Sequence, residues 1–308
     1  MRLRRRRDIW DVAVVGGGIA GLTGAWHAVR SGLTTVLFEG AAAHGGQVAN
    51  VNHLDDWPAT GEASGVALAS DLVAKLRDEA VELQGEAVSR VAVDGALLRV
   101  ESASHAVRAR SVLVASGARL RTLGVPGERE LVGKGVSQCA DCDGYFFRGQ
   151  DVVVVGAGDA ALQEALVLAG LCRTVSIVVR SRVRAKVAYV ERASGAANVR
   201  FVFDSTVDAV LGKDGVTGVK LRNVKSGAAN ELACSGVFAF VGTSPDAAFL
   251  PAGVERDAAG AVITDARMRT GVRGLYAVGA VRSGYSGALV AAAGEAAAVR
   301  AIAEDLAF

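Results

Sequence analysis

The sequence predicts an α/β protein of two domains, each built on a parallel sheet, with the second domain inserted into the first. Three observations carry this expectation. A Val-rich strand runs into a Gly-rich turn and an Ala-rich helix over residues 11–31, and the same pattern returns over residues 151–170. A further strand at Leu275–Gly279 and a long Ala-rich helix from about Ala288 come after the second repeat. The chain of 308 residues is 51% hydrophobic yet only 5% aromatic, which suits Val-rich strands covered by Ala-rich helices and is long enough for two cores.

In the first repeat, Asp11–Val15 reads as a buried parallel strand leading into G-x-G-x-x-G at Gly16, Gly18 and Gly21. The first glycine permits the tight turn, the second lets the backbone approach a pyrophosphate, and the third lets helix and strand pack closely. The following helix offers free N–H groups and a positive dipole end to the phosphates. Thr34–Phe38 is the second strand, closed by Glu39, 18 positions after Gly21. An acid there accepts hydrogen bonds from adenosine ribose hydroxyls. A lone G-x-G-x-x-G is weak evidence, but strand, helix and acid in register specify a dinucleotide site.

In the second repeat, Asp151–Val155 leads into Gly156, Gly158, Asp159 and Ala161, with a helix to about Gly170 and a strand at Thr174–Val179. Ala161 stands where the third glycine is expected and is still small enough for close packing. This second strand ends in Arg180, Arg182, Arg184 and Lys186 rather than in an acid. Arginines accommodate a 2′-phosphate, so NADP is favoured over NAD. Val112–Gly117 and Phe238–Gly242 are strands followed by turn-rich crossovers. They place the junctions near 118 and 243. The expected domains are 1–117 with 243–308, and 118–242, both Rossmann-like and of the three-layer ββα type.

Between the two motifs lies Cys139-Ala140-Asp141-Cys142, followed by Asp143-Gly144. A Cys-x-x-Cys is either half a zinc site or a redox pair. Zinc needs four ligands, and neither Cys172 nor Cys234 has a partner at ligand spacing, while the four histidines are scattered. No metal is expected. Cys172 and Cys234 read as buried, inert thiols. Two cysteines at i, i+3 can close a small ring that opens readily, and an adjacent carboxyl can take up and return the proton of exchange.

The net charge of +2 gives no reason to expect nucleic acid or an anionic membrane as partner. Residues 1–7 hold five arginines but no apolar stretch with a cleavage site follows, so they read as a solvated terminus. No apolar run reaches a membrane span of roughly 18 residues. With one close cysteine pair and no disulfide framework, the expected location is cytoplasmic.

The chain resembles the low-molecular-weight thioredoxin reductases, of the pyridine nucleotide-disulfide oxidoreductase superfamily, over essentially its whole length. The matching stretches are Gly16–Gly21, Gly45-Gly46-Gln47, Trp57-Pro58, 115–118, Leu123–Glu128, Cys139–Gly144, Gly156–Glu164, Ile263–Thr270 and Leu275–Gly279. The resemblance implies FAD on the outer domain, NADPH on the inserted one and a homodimer as the working unit. It assigns Gly16, Gly18, Gly21 and Glu39 to the adenosine diphosphate half of FAD, and Gly46 and Gln47 to the flavin. Ala115, Gly117, Gly279 and Ala280 join the same cofactor site, while Gly156, Gly158, Asp159, Arg180 and Arg182 hold the nicotinamide nucleotide. Cys142 is similar in position to the thiol that faces the flavin, Cys139 to the thiol that exchanges with substrate, and Asp143 to the acid-base residue. The implied partner is a thioredoxin-like protein or a small-molecule dithiol or disulfide.

Three departures stand out. Ala280 replaces the family's aspartate, whose lost hydrogen bond is worth roughly 1.5–3 kcal/mol, or about one to two decades of FAD affinity. Gly287-Ala288-Leu289 replaces Arg-Gln-Ala beside the flavin, where Tyr285 could lie instead. The His-Arg-Arg phosphate signature is degenerate around Arg180–Arg182. These leave two alternatives beside the reductase: a dithiol oxidase or reductase using oxygen or a non-nicotinamide carrier, and a non-catalytic redox sensor.

Overall fold

The computed structural model describes residues 8–51, 54, 64–79, 81–285 and 287–307. The basic stretch 1–7, the Trp57-Pro58 match and the side chains of Ala288 and Leu289 lie outside what is described. The helices are α1 (Ile19–Arg30), α2 (Gly65–Asp78), α3 (Ala140–Asp143), α4 (Asp159–Ala169), α5 (Val187–Gly195) and α6 (Ala288–Leu306). The chain divides into two compact units, one of residues 1–119 and 244–308, the other of residues 120–243.

The first unit is built on a sheet whose central strand, Ile9–Val15, pairs in parallel with Thr35–Phe38 on one side and Ala106–Val114 on the other. Val12 to Val15 are all buried, as expected of a strand covered on both faces. The strand Ala106–Val114 is shared. Its first half pairs antiparallel with Leu97–Ser102, and its last residues, Val112 to Val114, pair in parallel with Leu275–Ala277. That late strand and α6 therefore return, after more than a hundred intervening residues, to finish a sheet begun at residue 9. On one face α1 and α6 pack through Leu22, Ala25, Ala28, Val299 and Ile302. On the other, Trp10, Phe38, Val100 and Val112 form a second core.

The second unit repeats the scheme. Its parallel sheet runs in the order Val199–Val202, Thr174–Val178, Asp151–Val155, Gly236–Ala239 and Val136–Ser137. A three-stranded antiparallel sheet, 205–212, 216–223 and 229–233, completes the unit. Val152 to Val155 are buried, so the Val run seen in the sequence is a central strand here too. Leu162, Ala165 and Leu168 of α4 pack on one side of the sheet with Phe147 and Phe238. The three-layer α/β architecture is the one expected. Element ends differ by one or two residues. The central strand of unit one starts at Ile9 rather than Asp11, since Ile9 and Trp10 pair with Arg108 and Ala109.

Candidate active site

In the first unit the residues singled out by sequence gather around the N-terminus of α1. Gly16 has a φ of +108°, and a Cβ on it would stand 2.3 Å from the Ala115 carbonyl oxygen. A Cβ on Gly21 would stand 1.8 Å from the Gly16 carbonyl oxygen, so the third glycine is required for helix and strand to meet. Gly18 is the N-cap and supplies no side-chain bond, which leaves the first N–H groups of α1 without a side-chain cap. Further along the chain, the loop at Gly45-Gly46 closes against this turn. The Gly45 N–H donates to the Gly17 carbonyl at 2.7 Å, and the Cα of Gly46 lies opposite Gly18. Gln47 donates through Nε2 to the Ala118 carbonyl. Gly117 has a φ of +71°, and its carbonyl accepts the Asp246 N–H at 3.0 Å. Gly279 stands over Ala20 of α1, with half-buried Ala280 beside it.

Glu39 lines a cavity of about 380 Å³ together with Gly16, Phe38, Ala87, Ser116 and Asp246. Its Oε2 accepts the Gly17 N–H and its Oε1 the Ala41 N–H, both at 2.7 Å. Each oxygen keeps a lone pair, so the acid is fixed yet still able to accept a ribose hydroxyl. Bare glycine backbone, uncapped N–H groups and an oriented acid beside a cavity fit the adenosine diphosphate half of FAD. Tyr285, a candidate flavin contact, is 38% exposed, and burial together with the nearby Glu295 pushes its hydroxyl pKa up.

In the second unit Cys139 and Cys142 are joined as a disulfide, with Cα atoms 5.3 Å apart, on the single turn of α3. Cys142 is exposed and Cys139 half-buried. Asp143 is held by Ser137, whose hydroxyl donates to Oδ2 at 2.6 Å while its oxygen accepts the Cys139 N–H at 3.1 Å. The carboxyl beside the pair is therefore positioned, not free to swing away. The Cys142 N–H points at Cys139 Sγ, 3.1 Å away. Glu164 of α4 accepts the Ala140 N–H at 2.6 Å. Ser137 and the role of Glu164 escape sequence reading, because nothing in their spacing marks them. Cys172 and Cys234 are buried free thiols, which burial pushes up to about 11 and about 12. They are buried as expected, and thiols shifted upward in this way carry little reactive thiolate at neutral pH.

The same unit holds a cavity of about 720 Å³ lined by Gly156, Gly158, Asp159, Arg180, Arg182 and Arg184, among others. Gly156 has a φ of +150° and passes within Cβ distance of the Phe240 carbonyl. Asp159 Oδ1 accepts the Lys186 N–H at 2.7 Å, so this acid ties the basic loop to the first turn of α4. That bond gives Asp159 a local structural task beside the binding task expected of it. Arg121 and Thr206 also line this cavity, and the sequence motifs do not include them. Among the described residues no group of three or more His, Cys, Asp or Glu is placed to hold a metal ion, and no helix is long and apolar enough to cross a membrane.

Residues 10–297 match the pyridine nucleotide-disulphide oxidoreductase family. The thioredoxin reductase of Treponema pallidum is 38% identical over 276 residues, covering 89% of each chain. Among solved structures, that of Lactococcus lactis thioredoxin reductase superposes with a TM-score of 0.93 at 33% identity, covering 97% of this chain and 99% of its own. The thioredoxin reductase of T. acidophilum gives 0.92 at 29% identity, covering 98% and 100%.

Proposed function

The chain belongs to the pyridine nucleotide-disulphide oxidoreductase family, and on that premise we propose how its residues divide the work of a thioredoxin reductase-like enzyme. It is an FAD-dependent disulfide oxidoreductase. The observation that carries the reading is the Cys139–Cys142 disulfide on its turn, with Asp143 oriented beside it by Ser137. Gly16, Gly18, Gly21, Glu39, Gly46, Gln47, Ala115, Gly117, Gly279 and Ala280 would hold FAD. When bound, FAD supplies two-electron chemistry between a reductant and the dithiol. NADPH would be that reductant: Gly156, Gly158 and Asp159 would hold its pyrophosphate, and Arg180 and Arg182 its 2′-phosphate. The Arg-lined cavity supports this over NADH.

Two electrons and two protons open the Cys139–Cys142 bond. Asp143 takes the proton of the Cys139 thiol, the Cys139 thiolate attacks one sulfur of the substrate disulfide, and Asp143 returns that proton to the thiolate that leaves. Cys142 attacks the mixed disulfide at Cys139 and re-forms the internal disulfide, its proton passing to the second substrate thiolate, which leaves as a thiol. Tyr145 and Phe146, 67% and 73% exposed, stand immediately after this turn. Exposed aromatics at a reactive centre favour a protein substrate of the thioredoxin kind over a small disulfide. A homodimer in the cytoplasm belongs to the same reading.

Anaerobic titration decides the donor. NADPH should bleach the flavin at lower concentration than NADH, and a flavin bleached only by dithiothreitol points instead to the dithiol oxidase. Cys139→Ser should abolish disulfide turnover while FAD stays bound and reducible. Persistent turnover would remove the dithiol from the mechanism.

A further inference from the structure

We propose that Glu164 is a positioning residue for the dithiol: its carboxylate fixes the turn that carries both cysteines and opposes the build-up of thiolate on it. This rests on Cys139 and Cys142 being the working pair. Ala140, between the cysteines and fully buried, is the first residue of α3, and its N–H goes to Glu164 Oε2 at 2.6 Å. A hydrogen bond of that length to a carboxyl oxygen is among the stronger ones available to a backbone amide. It fastens the redox turn to α4, the helix whose first turn lines the Arg-rich cavity. The neighbouring Cys142 N–H is directed instead at Cys139 Sγ. Carboxylate and sulfur thus share the donors of one short turn.

Three acids lie on or against the turn: Asp141 and Asp143 within it, and Glu164 bonded to it from α4. Burial pushes the Glu164 carboxyl above its usual range, the Ala140 N–H pulls it back, and the charge of Asp141 adds to the rise. A negative charge held against the turn penalises a second one arriving on sulfur. After reduction both protons therefore tend to stay on the thiols until Asp143 removes one. Thiolate appears where the acid-base residue acts, and idle dithiol is kept from adventitious oxidants.

The test reads thiols rather than turnover. FAD-loaded protein is reduced, freed of reductant and alkylated with iodoacetamide between pH 5 and 9. Glu164→Gln keeps an acceptor for Ala140 but removes the charge. Its half-maximal rate should move down by about one pH unit, with several-fold faster alkylation at pH 7. Glu164→Ala should show the same shift together with faster hydrogen exchange at the Ala140 amide. Glu164→Asp retains the charge and should keep the wild-type profile, which guards against a Gln variant that folds poorly. An unmoved profile in Glu164→Gln, or a Glu164→Asp profile that matches it, overturns the proposal. Turnover by Cys139→Ser would instead sink the dithiol mechanism and leave this titration readable.

Discussion

Glu295 is fully buried on α6, and neither carboxylate oxygen has a hydrogen-bond partner among the described residues. Its stem packs opposite Gly24 of α1, and burial pushes its pKa up to about 9, against a partial pull from Arg282. The native protein therefore keeps a proton that the unfolded chain releases near its ordinary value of 4.5. The sign follows: the stabilisation is full below about pH 4.5, falls as pH rises, and is gone above about pH 9. Glu295→Gln should flatten that dependence and gain about 3 kcal/mol at pH 7, read by urea unfolding at pH 5, 7 and 8. An unchanged difference across those pH values would show that the carboxyl has a partner. Ala280 poses the opposite case, an acid missing where the family has one. Ala280→Asp should tighten FAD retention by about one to two decades, measured by flavin fluorescence during dilution. No change would mean that the loss is already compensated by another group.

At the scale of elements, the C-terminal end of α6 is clamped rather than frayed. Arg269 donates two bonds to Asp305, and buried Tyr276 donates its hydroxyl to the same carboxylate. The Arg269 bonds pull the Asp305 pKa down to about 2. This stabilisation is present above about pH 4 and is lost as pH falls toward 2. Asp305→Ala strands the Tyr276 hydroxyl and should cost about 1–3 kcal/mol, with amide exchange accelerating along the last turns of α6. A melting temperature unchanged at pH 7 but equal exchange would show the clamp to be incidental. Sequence reading reached the βαβ elements because each is local: strand, glycine turn and helix lie within about thirty residues. It could not reach the closure of Gly45-Gly46 on the Gly17 carbonyl, nor Ser137 on Asp143 or Glu164 on Ala140. Those are single polar contacts whose partners have no periodicity and no composition to betray them. Nothing in the sequence marks Glu295 as buried; its burial follows from the packing of α1 against α6.

For the whole molecule, each unit buries its own core, and the ligands expected for each are different. Urea unfolding should therefore show FAD moving one transition and NADPH the other, each by about 2.7 kcal/mol at a hundredfold excess over Kd. A single transition shifted equally by both ligands would mean that the units unfold as one. The chain passes between the units through two short strands, Ala118–Leu120 and Thr243–Pro245, which pair with each other. The shared strand Ala106–Val114, awaiting its partner Leu275–Ala277, gives this path a consequence during synthesis. As the ribosome works from the N-terminus, residues 120–243 emerge complete while the earlier unit still lacks one strand and α6. The dithiol is thus made and able to close before the flavin cradle can be finished. A nascent chain arrested just short of residue 275 would hold a folded redox turn with no cofactor yet to feed it.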